Sequence, residues 1–354
     1  MSLEQKVAAI CQEVYQRQPI KSEVLDSLTN FVFKLTFEES KPPVVLKIIN
    51  RNTVNFFLFR SVENEQLLKS KGYMADWILH DTVTYRIERF IPNEPITTDK
   101  YRDHNIRLLM TKHIAEFHSL DSTKDPKKLQ MVDLYDNVYG NIEAEIKKNL
   151  EGNPESKRVF EILDHYKDFV KNVLVPHSLT EEIVLCHNDL LSGNVLFNLE
   201  NQQLALIDFE YGGYSFPEND IFNMLIESTY DYAITDGLGY DQDMSTFPSQ
   251  EKLKEILRFY LFFRKHWKDF KNEKDLPDAV EKYRQDPRMK EVDQKELDAL
   301  YKRFFLLGNI TNMYWSIWSF FIFKKEGKIF NYLEFGFQRY RDFLWSLEKY
   351  NTLN

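Results

Sequence analysis

Between Ile183 and Gly213 the chain reads IVLCHNDLLSGNVLFNLENQQLALIDFEYGG, and three oxygen-bearing side chains in it are spaced so that they could meet. Asp189 closes a His-x-Asp, Asn194 follows five residues later, and Asp208 comes after a polar run. Carboxylate and amide oxygens suit a hard cation such as magnesium rather than zinc. A carboxylate beside such an ion could orient a hydroxyl for attack. The flanking residues supply the elements that would position them. Ile183-Val184-Leu185, Val195-Leu196-Phe197 and Leu204-Ala205-Leu206-Ile207 are short apolar runs bounded by turn formers, which predicts strands. Residues 198 to 203 are polar enough to turn a hairpin. Asp189 and Asn194 then lie on a loop entering the hairpin, and Asp208 leaves its far end.

The chain around this window has room for two lobes, each with a core, in its 354 residues. With a net charge of -9 and no basic run, nucleic acid is excluded as the main partner. Cys11 and Cys186 are too few for a disulfide framework and fit a reducing cytoplasm. The opening residues lack the apolar core of a signal peptide. Residues 304 to 323 carry no charge and reach the length of a bilayer span, but Asn309, Thr311, Asn312, Ser316 and Ser319 interrupt them. A helix buried in the larger lobe is the better expectation, with no stable membrane insertion. Helical spacing of Val7, Ile10 and Val14 predicts a first helix over 3–17. Strands are expected at 31–39, 44–49 and 82–91, and a helix at 54–71 closed by Gly72. From Asp103 to about Thr180, and again after the hairpin, the pattern is helical. Two polar stretches, 236–250 and 271–294, read as loops or insertions. The expected fold is α+β, with a small strand-rich lobe over residues 1–92, a larger helical lobe over 93–354, and a hinge near Pro92.

Transfer of a γ-phosphoryl group needs metal ions on the phosphates, a further cation, and a carboxylate that orients the attacking hydroxyl. Protein kinases draw these from H-R-D-x-x-x-x-N, D-F-G, and a strand lysine paired with a helix glutamate. Here His187, Asp189 and Asn194 keep the first spacing, and Asp208-Phe209-Glu210 stands where D-F-G would. Lys47, in Val44-Val45-Leu46-Lys47-Ile48, stands where the strand lysine would. Glu63 is its expected partner, with Glu65 as the alternative. Alone, Asp189 could cap a turn and Asp208 could end a strand. Their order and spacing together point to phosphotransfer, with a two-lobed protein-kinase-like fold. His187, His113 and His118 read as structural.

The stretches "CHNDLLSGNVL" and "IDFEYGGYSFPENDIFNMLIE" resemble the signature pair of the choline/ethanolamine kinase family. Asp220-Ile221-Phe222-Asn223 with Glu227 matches a further D-I-x-N-x-x-x-E helix. "FRSVENE", "ERFIPNEPI", "IAEFHSL" and Trp315-x-x-Trp318 extend the likeness over most of the chain. The resemblance implies that Asp189 orients the substrate hydroxyl, that Asn194 and Asp208 hold Mg2+ on ATP, and that Lys47, with Glu63, contacts the phosphates. It implies that the backbone at Glu88, Phe90 and Ile91 binds adenine, and that Thr29 and Asn30 keep the polar end of the nucleotide loop. That loop departs from the family pattern, because Asp26-Ser27-Leu28-Thr29-Asn30 lacks the usual glycines, which restricts close approach of backbone to phosphate. Asp220 reads either as an N-cap or as support for the catalytic loop.

The resemblance further implies an amino-alcohol acceptor, either choline, in the first step of phosphatidylcholine synthesis by the CDP-choline route, or ethanolamine. A trimethylammonium group donates no hydrogen bond and must be recognised by aromatic faces and nearby carboxylates. Trp315 and Trp318 share a helix face, and Tyr211, Tyr232, Phe330 and Phe335 match further walls, the last where relatives often carry tyrosine. An aromatic core is the plain alternative. A primary ammonium needs acceptors, which Glu210 and Glu227 could supply. Choline is favoured here, with ethanolamine or a dual kinase second. Another small-molecule phosphotransferase, or a scaffold without catalysis, is more distant. Relatives are often dimers, which implies a homodimer.

Overall fold

A computed structural model describes residues 1–25, 30–49, 78–81, 84–91, 95–198, 203–234, 236–270, 279–324 and 330–353. They fall into two compact units, one ending near Pro92 and one beginning after it. In the first, helix α1 (Leu3–Tyr15) starts at a capping box: Ser2 accepts from Gln5 N, and the Gln5 side chain accepts from Ser2 N. Strands β1 (Lys21–Leu25), β2 (Phe31–Thr36), β3 (Val44–Ile48), β4 (Ile78–Asp81) and β5 (Tyr85–Arg89) form an antiparallel sheet in the order β1-β2-β3-β5-β4. Alternation sends Phe33, Leu35, Val44, Leu46, Ile48, Tyr85 and Ile87 to one face, where they pack with Val7 and Cys11 of α1. Lys47 lies between Leu46 and Ile48, so its side chain projects from the other face, in register with Val32 and Arg86.

The expected strands are shorter than their sequence patterns, because β2 stops at Thr36 and β5 starts at Tyr85. β1 and β4 were not anticipated. Both are edge strands, and β1 has no buried position, so no apolar alternation marks it. The expected helix at 54–71 lies outside the described residues.

The second unit opens with α2 (Thr98–Arg102) and α3 (His104–His118) and the short strand β6 (Ser122–Thr123). Helices α4 (Tyr139–Asn149) and α5 (Ser156–Phe169) follow, then β7 (Ile183–Cys186), β8 (Val195–Asn198), β9 (Gln203–Leu206) and β10 (Gly213–Ser215). β8 and β9 form the expected hairpin, with Val195 opposite Leu206. β7 does not join it. It pairs with β6 and β10 and is buried at every position, which explains its unbroken apolar run.

Helix α6 (Pro217–Glu227) begins with proline at its first position and is buried along its whole length. Around it lie α7 (Gln250–Phe270), α8 (Gln294–Leu307), α9 (Ile310–Ile322) and α10 (Tyr332–Thr352). The uncharged stretch 304–323 is therefore not one helix but the corner between α8 and α9. A Cβ on Gly308 would stand 2.5 Å from Phe222 Cβ and 2.9 Å from Glu218 O, so glycine lets this corner press against α6. The interrupting polar residues are satisfied inside the protein. Asn309 donates to Phe343 O (2.9 Å), Asn312 to Asn309 Oδ1 (3.0 Å) and Ser316 to Gly336 O (2.8 Å). Among the described residues, no helix is long and apolar enough to cross a membrane.

Candidate active site

The loop between β7 and β8 is held from beneath by side chains of α6. Asp220 accepts His187 N at 2.7 Å and Asn188 N at 2.8 Å, one on each carboxylate oxygen. Asn223 accepts Leu190 N and donates to Thr311 Oγ1 at 2.7 Å. The cap of α6 is Phe216, so Asp220 supports the loop and is not a cap. Asn188 takes a left-handed backbone (φ 65), and its amide donates to Tyr211 O and Gln130 Oε1, both at 3.0 Å. His187 is wedged between backbone groups: Nε2 donates to Ile207 O (2.8 Å) and Nδ1 accepts from Asp189 N (3.3 Å). That pattern requires the neutral ring, and burial pushes its pKa down.

Asp189 stands early in this loop, 7% exposed. Asn194 reaches back and donates both to Asp189 O (2.9 Å) and to Asp189 Oδ2 (2.8 Å). Asn194 itself is fixed by the hairpin, since its carbonyl accepts from Ile207 N at 3.0 Å. Burial, then the charges of Glu227, Asp208 and Glu210, push the Asp189 carboxyl well above its usual value. Asp208 leaves the hairpin with φ 64 and ψ 61, a left-handed turn that aspartate tolerates better than most residues. Phe209 packs its ring against His187 (4.4 Å) and Phe117 (5.2 Å). Asn194 and Asp208 offer an amide and a carboxylate oxygen where Asp208, Glu210 and Glu227 all act on Asp189. This donor set fits a hard divalent cation.

The rings named from sequence, joined through Tyr332, form one series of edge and tilted contacts. Tyr211 meets Trp315 at 4.9 Å, Trp315 meets Trp318 at 5.2 Å, and Trp318 meets Tyr332 at 5.8 Å. Tyr332 meets Phe330 at 4.9 Å, and Phe330 meets Phe335 at 5.1 Å and Tyr232 at 6.3 Å. Glu210 is half-buried in the turn after Asp208. Glu227, at the end of α6, is not a free carboxylate: Arg339 Nη2 binds Oε1, and Tyr232 OH donates to Oε2 at 2.8 Å.

In the first unit, Lys47 Nζ and Arg86 Nη1 each lie 3.8 Å from Glu88 Oε1. Of the expected adenine-binding backbone, Phe90 N–H is engaged by Pro43 O at 3.3 Å. Asn30 directly precedes β2. Thr29, Glu63 and Glu65 lie outside the described residues.

Sequence reasoning missed Arg339, Tyr230, Tyr332 and Asp342. The signal was present, because Tyr332, Phe335, Arg339, Asp342 and Phe343 recur at three- and four-residue steps along α10 and share its buried face. A charge pair on an apolar stripe marks a buried polar site. Asn219, which holds Asn188 Oδ1 at 2.8 Å, was also missed.

Comparison with known proteins places this geometry in context. The family model described as choline/ethanolamine kinase matches residues 22–344. The chain is 26% identical over 330 residues to a probable ethanolamine kinase of Arabidopsis thaliana, covering 90% of this chain and 77% of the relative. It is 26% identical over 264 residues to the choline/ethanolamine kinase of Homo sapiens, covering 72% of this chain and 60% of that protein. Among solved structures it is similar to a choline kinase from Cryptosporidium parvum, with a TM-score of 0.70, 18% identity, and coverage of 98% and 96% of the two chains. The fold is protein-kinase-like.

Proposed function

The chain belongs to the choline/ethanolamine kinase family, and from that premise we propose that it transfers the γ-phosphoryl group of ATP to the hydroxyl of choline. In this reading the hydroxyl approaches Asp189, whose carboxylate accepts its proton as the oxygen attacks the γ-phosphorus and the bond to the bridging oxygen breaks, releasing ADP. Asn194 fixes the carboxylate's direction through the 2.8 Å hydrogen bond, and the α6 side chains fix the loop backbone. Magnesium held by Asn194 and Asp208 would supply charge neutralisation on the phosphates. Lys47, 3.8 Å from Glu88 Oε1, would neutralise phosphate charge. The rings from Tyr211 to Tyr232 would receive the trimethylammonium group.

The observation that carries this reading is the carboxyl of Asp189, pushed up by burial and by neighbouring carboxylates yet held in one orientation by Asn194. A carboxylate so placed gains from every cation that enters the site. Ethanolamine is the second reading, favoured by the Arabidopsis relative's name. The test is ADP release in the presence of magnesium with each amine in turn, repeated in excess chelator. The reading predicts choline-dependent ADP release that chelator abolishes. Full activity in chelator, or no turnover of either amine, would overturn it.

A further inference from the structure

Arg339 is 1% exposed and sits at the end of the aromatic series rather than at the surface. Its guanidinium carbon lies 4.4 Å from the Tyr230 ring centroid and 4.9 Å from that of Phe335. Nη2 contacts Glu227 Oε1 and lies 3.2 Å from Tyr232 OH, and Nη1 lies 3.4 Å from Asn312 Oδ1. Asp342, one turn along α10, accepts from Tyr230 OH (2.6 Å) and Gln242 Nε2 (2.9 Å), which fixes one of the two rings. Burial opposes the arginine's charge, but Glu227, Tyr230, Tyr232 and Asp342 together more than offset it, so the guanidinium stays charged. Glu227 and Arg339 therefore sum to zero, with Tyr232 occupying the second oxygen of the carboxylate.

Resting on the kinase reading above, we infer that Arg339 is a specificity-determining residue of the amine pocket. By holding Glu227 it withdraws a carboxylate from the substrate's ammonium and leaves cation recognition to the ring faces. A trimethylammonium group is satisfied by such walls, because it has no N–H to place. A primary ammonium has three donors, and each one left without an acceptor in a desolvated pocket carries a penalty. Arg339 thus favours the quaternary amine by disabling an acceptor, without touching the substrate.

The experiment measures kcat/KM for choline and ethanolamine in wild type, Arg339→Gln, and the double variant Glu227→Gln with Arg339→Gln. Arg339→Gln releases Glu227 and should raise the ethanolamine-to-choline ratio about tenfold, the worth of one charge-assisted hydrogen bond. The double variant removes both charges of the pair and should return the ratio to within about threefold of wild type. A buried pair replaced as a unit is tolerated far better than one broken in half, so the double variant decides the matter if Arg339→Gln does not fold. An unchanged ratio in Arg339→Gln overturns the inference. So does a double variant that loses ethanolamine turnover more than tenfold relative to choline, which would make Glu227 the ammonium acceptor. Wild type inactive on both amines is a different result, and overturns the kinase reading itself.

Discussion

Asp189 and Asp220 are both buried carboxylates, joined through the backbone of one loop, and their surroundings differ in sign. Asp220 receives three donors, His187 N, Asn188 N and His118 Nε2, the last at 3.1 Å. Burial opposes its charge, but hydrogen bonds, the largest from His118 and another from the Asn188 backbone, help hold the carboxyl below its usual value. Asp189 has Asn194 as its side-chain donor and three carboxylates acting against it, and its carboxyl is held above. One acid anchors the loop. The other is presented by the loop with its charge unpaid. On the proposed mechanism, the difference separates a residue that stabilises the fold from one kept for chemistry at a cost in stability.

The sharpest break in this comparison is Asp189→Asn, which should lower turnover roughly a hundredfold or more while ATP binding survives. Near wild-type turnover would remove Asp189 from the mechanism. Asp220→Asn should instead destabilise the protein by about 3 kcal/mol, since it sets an amide N–H against a backbone donor and breaks a buried network. Chemical denaturation measures this, and an unchanged midpoint would mean that the loop is anchored elsewhere. Further from both acids, Trp318→Ala should raise the KM for choline about tenfold, the worth of one good ring face on a desolvated cation. Equal losses for ATP and choline would make Trp318 core packing. The smallest effect concerns pH. Asp189 must be ionised to accept a proton, and its carboxyl is held high, so kcat/KM should fall on acidification at a pH above the ordinary carboxylate value of about 3.9. An acid limb at or below that value contradicts the raised carboxyl.

The H-x-D-x-x-x-x-N spacing and the hairpin were legible in sequence because they are local. Asp189, Asn194 and Asp208 stand within twenty residues of one another, bounded by apolar runs and turn formers. The rings were legible as a set, since a W-x-x-W on a helix shares a face. Arg339 was not, because its meaning depends on Glu227, 112 residues away in the chain and brought to it by the packing of α6 against the C-terminal helices. Asp220 was legible by half: the sequence offered support of the catalytic loop beside an N-cap, and the choice needed the loop 32 residues earlier. Residues 304–323 show the converse error. Their uncharged character suggested one long helix, and the corner at Gly308 became visible only from the closeness of Phe222.

The most direct test of the contrast is thermal unfolding of Asp189→Asn and Asp220→Asn side by side, at neutral pH and without nucleotide or metal. A group whose carboxyl is raised on folding contributes stability while protonated and loses it as pH rises through the interval above its unfolded value; one whose carboxyl is lowered does the reverse. At neutral pH Asp189 therefore weighs against the folded state, and the ionised Asp220 supports it. Asp189→Asn should melt above wild type and Asp220→Asn below it. If Asp189→Asn also melts below wild type, Asp189 is a second structural anchor and not a carboxylate held ready for proton transfer.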